Sequence, residues 1–346
     1  MSSINEFITY LHRFTSRDEL DKDYCQDIVH PIRDNQSWNM YKKQESSYWT
    51  ADSIVVEGLA NEFKLLDEES KQTMLIVMAF LTTADNNIID IISMALPLIA
   101  DSIEKKFFYT AQLRSEVTHA ETYSKILYEL EKDASKRNKL IKSVHDNKAI
   151  RDKNDWISKS VLSARTKVEL LTIYTCIEGI YFLAPFLYLF WIRRLGILRP
   201  ISFSNEEISK DECLHKMFGI YNIKSCMGVM DAVTLAEVKT MITKRVREAS
   251  HLELSSCKFI FKKDRDGLLL SDIEDYIRFL SDDILINLDI KPIYEIKKSS
   301  LPSWISELGM EIKTNFYEDK VGNYKSSVIA SDCSEEVYNN PMSVLF

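Results

Sequence analysis

Apolar side chains recur at helical spacing along most of this chain, and they define a series of long segments. Residues 68–100 read as one long helix. It is apolar on nearly every face, as expected for a helix in the middle of a bundle, and Pro97 should kink or end it. Residues 103–132 form a second long helix and residues 134–146 a shorter, more charged one. A third long helix runs from Asp155-Trp156 to Leu195, with Gly196 suited to its C-cap. Ser204-Asn205-Glu206-Glu207 has the form of an N-cap with an acidic first turn, starting a fourth long helix through about residue 221. Two more helices are expected at 229–250 and 268–289. The strand signals are short and weak, at most a small hairpin around 257–263. The expected fold class is all-α.

The ends are patterned differently. Residues 1–36 are mixed, with an amphipathic helix expected near residues 4–12. His30-Pro31-Ile32 should be extended, because the residue before a proline is pushed out of the α region. Trp38, Tyr41, Tyr48 and Trp49 recur at helical spacing in an aromatic and basic stretch, and Thr50-Ala51-Asp52 breaks it. Beyond Lys291 the helical pattern fades, and residues 300–346 carry polar residues with isolated aromatics, the composition of a loosely held tail. Three segments follow: an N-terminal extension (1–36), a helical domain (37–292) and a C-terminal segment with a flexible tail (293–346).

Composition reinforces the helical reading. Glycine (8) and proline (7) are scarce in 346 residues, so few turns are on offer. The formal net charge of -8 argues against a general nucleic-acid binder, which needs a basic face. Six scattered cysteines without a C-x-x-C pair fit free thiols in a reducing compartment. The N-terminus lacks the basic patch and apolar run of a signal peptide. The apolar stretch 74–100 is interrupted by Asp85, Asn86, Asn87 and Asp90. The stretch 180–192 is shorter than the ~20 residues a spanning helix needs. Both read as core helices, and a cytoplasmic location without membrane contact is expected.

The chemistry lies in acidic residues on these apolar helices. Asp85 and Glu178 each sit in a run where a carboxylate is costly unless paired or bound to a cation. Alone, each would read as a buried salt bridge. Glu116 with His119, and Glu212 with His215, are i, i+3 pairs on single helix faces. One such pair is commonly a surface interaction; two on core helices are much rarer. Four carboxylates and two imidazoles on four helices make the ligand inventory of a ferritin-like di-iron or di-manganese site. Oxygen-rich ligation suits iron or manganese, whereas zinc favours more nitrogen or sulfur. His12, His30, His145 and His251 have no such context. Tyr123 follows His119 by one turn and shares its face. Phe182 and Phe186 follow Glu178 by one and two turns, and Ile208 precedes Glu212 by one. Ordinary core packing accounts for these three as well as an apolar pocket around Tyr123 does.

These motifs together resemble the small, radical-generating subunit of class I ribonucleotide reductase, in its eukaryotic and viral type. The matching segments include Trp38-Asn-Met-Tyr-Lys-Lys-Gln-Glu-Ser-Ser-Tyr-Trp-Thr-Ala, Ala79-Phe-Leu-Thr-Thr-Ala-Asp85, Glu116-Val-Thr-His-Ala-Glu-Thr-Tyr-Ser124, Ile177-Glu-Gly-Ile-Tyr-Phe182, the stretch Phe203 to His215, and Lys313 to Tyr324. By that resemblance Asp85, Glu116 and His119 bind one iron, and Glu178, Glu212 and His215 the other, with dioxygen needed for activation. Tyr123 takes the place of the stable tyrosyl radical. Trp49 and Asp211 take the places of a relay hydrogen-bonded towards His119. Tyr324 matches the tail tyrosine that passes the radical on, and Glu318 a tail glutamate needed for that step. The C-terminus at Phe346 corresponds to the peptide that docks on the large subunit, and a homodimer is implied. Three departures stand out: Lys210 replaces the family's usual arginine, the last six residues lack acidic side chains, and residues 1–36 do not align. A radical-less auxiliary subunit of the same complex and a ferritin-like di-iron oxidase are the alternative readings.

Overall fold

The computed structural model describes residues 29–305. Helix α1 (Asn35–Ser46) is capped by Asp34, whose carboxylate accepts the Ser37 N–H at 2.9 Å. Trp49 lies just past its end, before a 3-10 turn at Ala51–Ser53. After the short α2 (Leu59–Phe63) come α3 (Glu68–Met94) and the single turn α4 (Leu96–Ile99). The expected helix over 68–100 is thus interrupted just ahead of Pro97, which lacks the N–H that an unbroken helix would need. Helix α5 (Ile103–Leu130) starts at a Ser102 cap, and α6 (Ala134–His145) at an Asp133 cap.

The single helix expected over 155–195 is three: α7 (Lys148–Ser163), α8 (Lys167–Ile180) and α9 (Leu183–Arg194). The first break is a new N-terminus: the Thr166 hydroxyl accepts the Glu169 N–H at 3.1 Å, and Glu169 accepts the Arg165 N–H at 2.9 Å. The second break follows from Pro185. Proline has no N–H, so the Tyr181 carbonyl four residues earlier loses its helical donor. Buried Lys153 on α7 replaces that donor, at 2.7 Å from the carbonyl. Glu253 pairs with Lys153 at 2.6 Å and accepts the Ala184 N–H at 2.9 Å. One buried ion pair therefore satisfies both sides of the break, as buried backbone groups require. Gly196 follows α9 with φ +74, the left-handed conformation expected of it.

Helix α10 (Arg199–Met227) begins before the expected Ser204 cap. Leu198 adopts φ 54, its N–H donates to Glu62 at 2.6 Å, and proline fills the first turn, so the helix starts there. Ser204 is interior and its hydroxyl donates back to the Ile201 carbonyl at 2.9 Å. Helix α11 (Ala232–Ile260) and α12 (Leu270–Asn287) complete the bundle. The hairpin expected at 257–263 is absent: α11 runs through most of it, and the described residues hold only an isolated bridge between Arg265 and Leu268.

The core is all-α and ferritin-like. Helix α3 packs along α5, and α8 along α10, with α1 against α5 and α11 against α8. The α8–α10 approach is close: a Cβ on Gly219 would run into the Thr175 hydroxyl. Helices α8 and α9 together are long and apolar enough to cross a membrane by composition, but 94% of that window is buried inside the fold. The described cysteines, Cys176, Cys213, Cys226 and Cys257, form no disulfide with one another.

Candidate metal centre

Helix α5 carries a polar stripe into the core. Gln112, Ser115, Glu116 and His119 are all buried on it, spaced by three or four residues, and Tyr123 (1% exposed) continues the line. Helix α10 presents Asp211, Glu212 and His215 towards it, and α8 presents Glu178. Among the described residues, ligand atoms of Glu116, Glu178, Glu212 and His215 lie within 4.8 Å of one another.

Two carboxylates are shared between the two imidazoles. Glu116 places one oxygen 3.4 Å from His119 Nδ1 and the other 3.0 Å from His215 Nδ1. Glu212 does the same, at 3.2 Å from His119 and 3.5 Å from His215. Glu178 approaches only His215, at 3.5 Å. Glu116 and Glu212 thus each reach both imidazoles, whereas Glu178 reaches one.

The outer contacts orient the ligands. His119 Nε2 faces Asp211 Oδ2 at 3.1 Å, which leaves Nδ1 for the cluster. The Trp49 indole N–H donates to the same oxygen at 3.0 Å, and Gln44 Nε2 donates to Asp211 Oδ1 at 3.1 Å and to Ser115 at 2.8 Å. The Trp49 and His119 rings stack with centroids 6.0 Å apart. Gln112 Nε2 donates to Glu178 Oε1 at 3.3 Å.

Electrostatics favour a cation in the centre. Burial, then the charges of Glu212 and Glu116, push the Glu178 carboxyl well above the usual carboxylate range. Burial would lower both histidines, but carboxylate neighbours overcome it and raise both well above the ordinary imidazole value: Asp211, Glu116 and Glu212 for His119, and Glu116, Glu178 and Glu212 for His215. Glu212 is held low in spite of its burial by its close polar neighbours Glu178, His119 and His215. Both Glu116 oxygens, Glu178 Oε2, Glu212 Oε2, and Nδ1 of His119 and His215 close no hydrogen bond. Each such buried group costs about 1–3 kcal/mol when unsatisfied. Divalent cations would satisfy these atoms, so the residues fit a metal pair.

Residues 28–302 match the family model described as ribonucleotide reductase, small chain. The chain belongs to this family. It is 27% identical over 304 residues to the ribonucleoside-diphosphate reductase small chain of Variola virus, covering 88% of this chain and 92% of that one. Its fold is similar to the dimanganese(II)-NrdF of Streptococcus sanguinis, with TM-score 0.75 at 16% identity over 82% of this chain and 98% of that one. It is also similar to the Rnr4 homodimer of Saccharomyces cerevisiae, with TM-score 0.70 at 21% identity over 84% and 89%. As a member of the small-chain family it is a ribonucleoside-diphosphate reductase subunit, an oxidoreductase component.

Of the residues singled out from sequence, Glu116, His119, Glu178, Glu212 and His215 converge, with Asp211 and Trp49 attached through His119. Tyr123, Phe182, Phe186 and Ile208 belong to one buried apolar cluster. Phe182 is not in a helix interior as its spacing implied, but caps α9. Lys210 pairs with Glu207 at 2.6 Å. Asp85 is carried by α3; its side chain, like Glu318, Tyr324 and Phe346, lies outside what is described. Gln44, Gln112 and Tyr174 were missed. Gln112 is four residues before Glu116 and Tyr174 four before Glu178, so helical spacing could have flagged both.

Proposed function

We propose that the chain is the active, radical-generating small subunit of the reductase, with Tyr123 as the residue oxidised. The sharing of Glu116 and Glu212 between the two imidazoles carries this reading. Glu116, His119, Glu178, Glu212 and His215, with Asp85 from α3, hold two metal ions, iron in our reading with manganese as the alternative. The metals, when bound, supply activation of dioxygen. A cavity of about 70 Å³ against Glu178 and Glu212, walled by Phe182 and Phe186, has room for molecules of that size.

The chain's own residues do the rest. Asp211 holds the His119 tautomer, with Nε2–H towards its carboxylate, and so directs Nδ1 to a metal. Phe182, Phe186 and Ile208, each under 10% exposed, keep water from the region of Tyr123. Trp49, half-buried and hydrogen-bonded to Asp211, is where the relay leaves the core. From there the radical passes by way of Tyr324 to the large subunit, with Glu318 assisting and the peptide ending at Phe346 docking. Ribonucleotides are reduced there, supplying deoxyribonucleotides for DNA replication. In this reading the subunit is a cytoplasmic homodimer and contacts neither nucleic acid nor membrane.

The test is electron paramagnetic resonance after ferrous iron and oxygen are added to metal-free protein. A stable tyrosyl signal, lost in Tyr123→Phe, is expected. Iron uptake without any such signal favours the auxiliary-subunit reading. Deletion of residues 338–346 should abolish binding to the large subunit while leaving the radical intact; undiminished binding refutes the tail assignment.

A further inference from the structure

The cavity beside Glu178 and Glu212 lies where α8 gives way to α9, and its lining runs from buried residues to partly exposed ones. Phe182, Phe186 and Phe190 are buried walls, whereas Leu183 on α9, Cys213 on α10 and Leu280 on α12 are each half-buried and form a mouth. Among the described cysteines, Cys176 and Cys257 are buried, and Cys226, half-buried like Cys213, does not line this cavity.

Besides the two carboxylates, the lining holds a hydroxyl with no partner in the protein. Ser209, 6% exposed, lies on α10 one turn before Glu212, and its Oγ closes no hydrogen bond. Buried hydroxyls inside other helices donate to the carbonyl four residues back: those of Thr122, Thr172, Thr175 and Ser281 do so at 2.7 or 2.8 Å. Ser209 makes no such bond, so its hydroxyl is turned off the helix and into the cavity. Alanine would line the same wall without an unsatisfied polar atom, so packing does not account for the oxygen. Lys216, also in the lining, donates to Asp283 at 3.2 Å.

We propose that Cys213 is a modification site at an entrance to the metal centre, open to small uncharged sulfenylating molecules, and that the adduct closes the entrance. This rests on the oxygen-activating reading above. The mainly apolar walls select against ions, which would lose their hydration there. A cavity of about 70 Å³ has room for a group of a few heavy atoms, since a water-sized one needs roughly 10–15 Å³. The Ser209 hydroxyl supplies the one polar contact such a guest can use without displacing another partner. In the step, a bond forms between Cys213 Sγ and the sulfur of the reagent. The bond from that sulfur to its leaving group breaks, the leaving group departs with the electron pair, and the thiol proton goes to solvent. Cysteine sulfur is oxidised and the reagent reduced.

The experiment uses full-length protein loaded with ferrous iron under anaerobic conditions. The probe is methyl methanethiosulfonate, which transfers a methylthio group and releases methanesulfinate. Peptide mass mapping should show Cys213 labelled several times faster by this neutral reagent than by its trimethylammonium-ethyl analogue. After mixing with oxygen, labelled protein that has kept its iron should react several-fold more slowly in stopped-flow absorbance, and dithiothreitol should restore the rate. Cys213→Ser protein should react at one rate with or without the reagent, which separates Cys213 from the other cysteines. Ser209→Leu, which sends a longer side chain into the same space, should slow both Cys213 labelling and the oxygen reaction without any adduct. An unlabelled Cys213, equal labelling by the charged reagent, or an oxygen reaction unchanged by the adduct overturns this proposal alone. So do unchanged rates in Ser209→Leu. Untreated protein that holds iron and does not react with oxygen overturns both this proposal and the function it rests on.

Discussion

The Trp49 indole and the His119 imidazole meet on a single oxygen: Asp211 Oδ2 lies 3.0 Å from Trp49 Nε1 and 3.1 Å from His119 Nε2. A half-buried ring is thereby tied to a fully buried ligand through one carboxylate. Gln44 holds the other Asp211 oxygen, so the carboxylate has little freedom to turn.

Asp211→Asn keeps the shape but removes the charge that favours Nε2–H on His119. Loss of such an outer partner typically costs about 10–100-fold in metal affinity or activity. We expect a loss of that size in metal titrations and in reductase assays with the large subunit. Trp49→Phe should spare metal binding and reduce only the assay with the large subunit.

Metal-free protein should lose stability as pH rises from about 6.5 to 8, above the ordinary histidine value. The folded pKa values of His119 and His215 are raised, so their contribution is complete below the unfolded value and is lost as pH climbs towards the folded one. Glu178 is raised too, and its contribution fades in the same direction, above the ordinary carboxylate range. Glu212 is depressed, so its contribution is lost only in acid. Thermal melts of chelated protein across this range check the slope. Metal uptake should release protons and raise the melting temperature most at the alkaline end.

The Lys153–Glu253 pair at the α8–α9 break has both partners buried and also serves the Tyr181 carbonyl and the Ala184 N–H. Lys153→Met should cost about 3–5 kcal/mol, because Glu253 is left as an uncompensated buried charge. Adding Glu253→Leu should recover only part of it, since two backbone groups stay unsatisfied at about 1–3 kcal/mol each. Urea denaturation of the two variants measures both values.

Gly219→Ala should push α10 away from α8 at Thr175. Overpacking of this kind costs about 1–3 kcal/mol. Thr175→Ser in the same background frees less room than Thr175→Ala, because the hydroxyl is the atom in the way. Denaturation midpoints should therefore recover more in Gly219→Ala/Thr175→Ala. Metal affinity should follow the same order, as Glu178 and His215 sit on the two displaced helices.

The helix–imidazole pairs Glu116–His119 and Glu212–His215 were legible from the chain because i, i+3 spacing is local geometry, and so was the apolar character of the four helices bearing Asp85, Glu116, Glu178 and Glu212. The breaks after Ser163 and Ile180 were not: the apolar run continues across the second one. Pro185 marked a lost donor, but a carbonyl left open can be satisfied only by a group from elsewhere, here Lys153 from α7. The start of α10 likewise depended on Glu62, far back in the chain, accepting the Leu198 N–H. Local periodicity thus specified helices and placed a carboxylate on each. That Glu116 and Glu212 each reach both imidazoles, and that Gln44 and Gln112 brace Asp211 and Glu178, came only from the packing of separate helices. Those contacts join residues tens of positions apart, and burial makes each of them costly unless its partner, or a cation, is there to meet it.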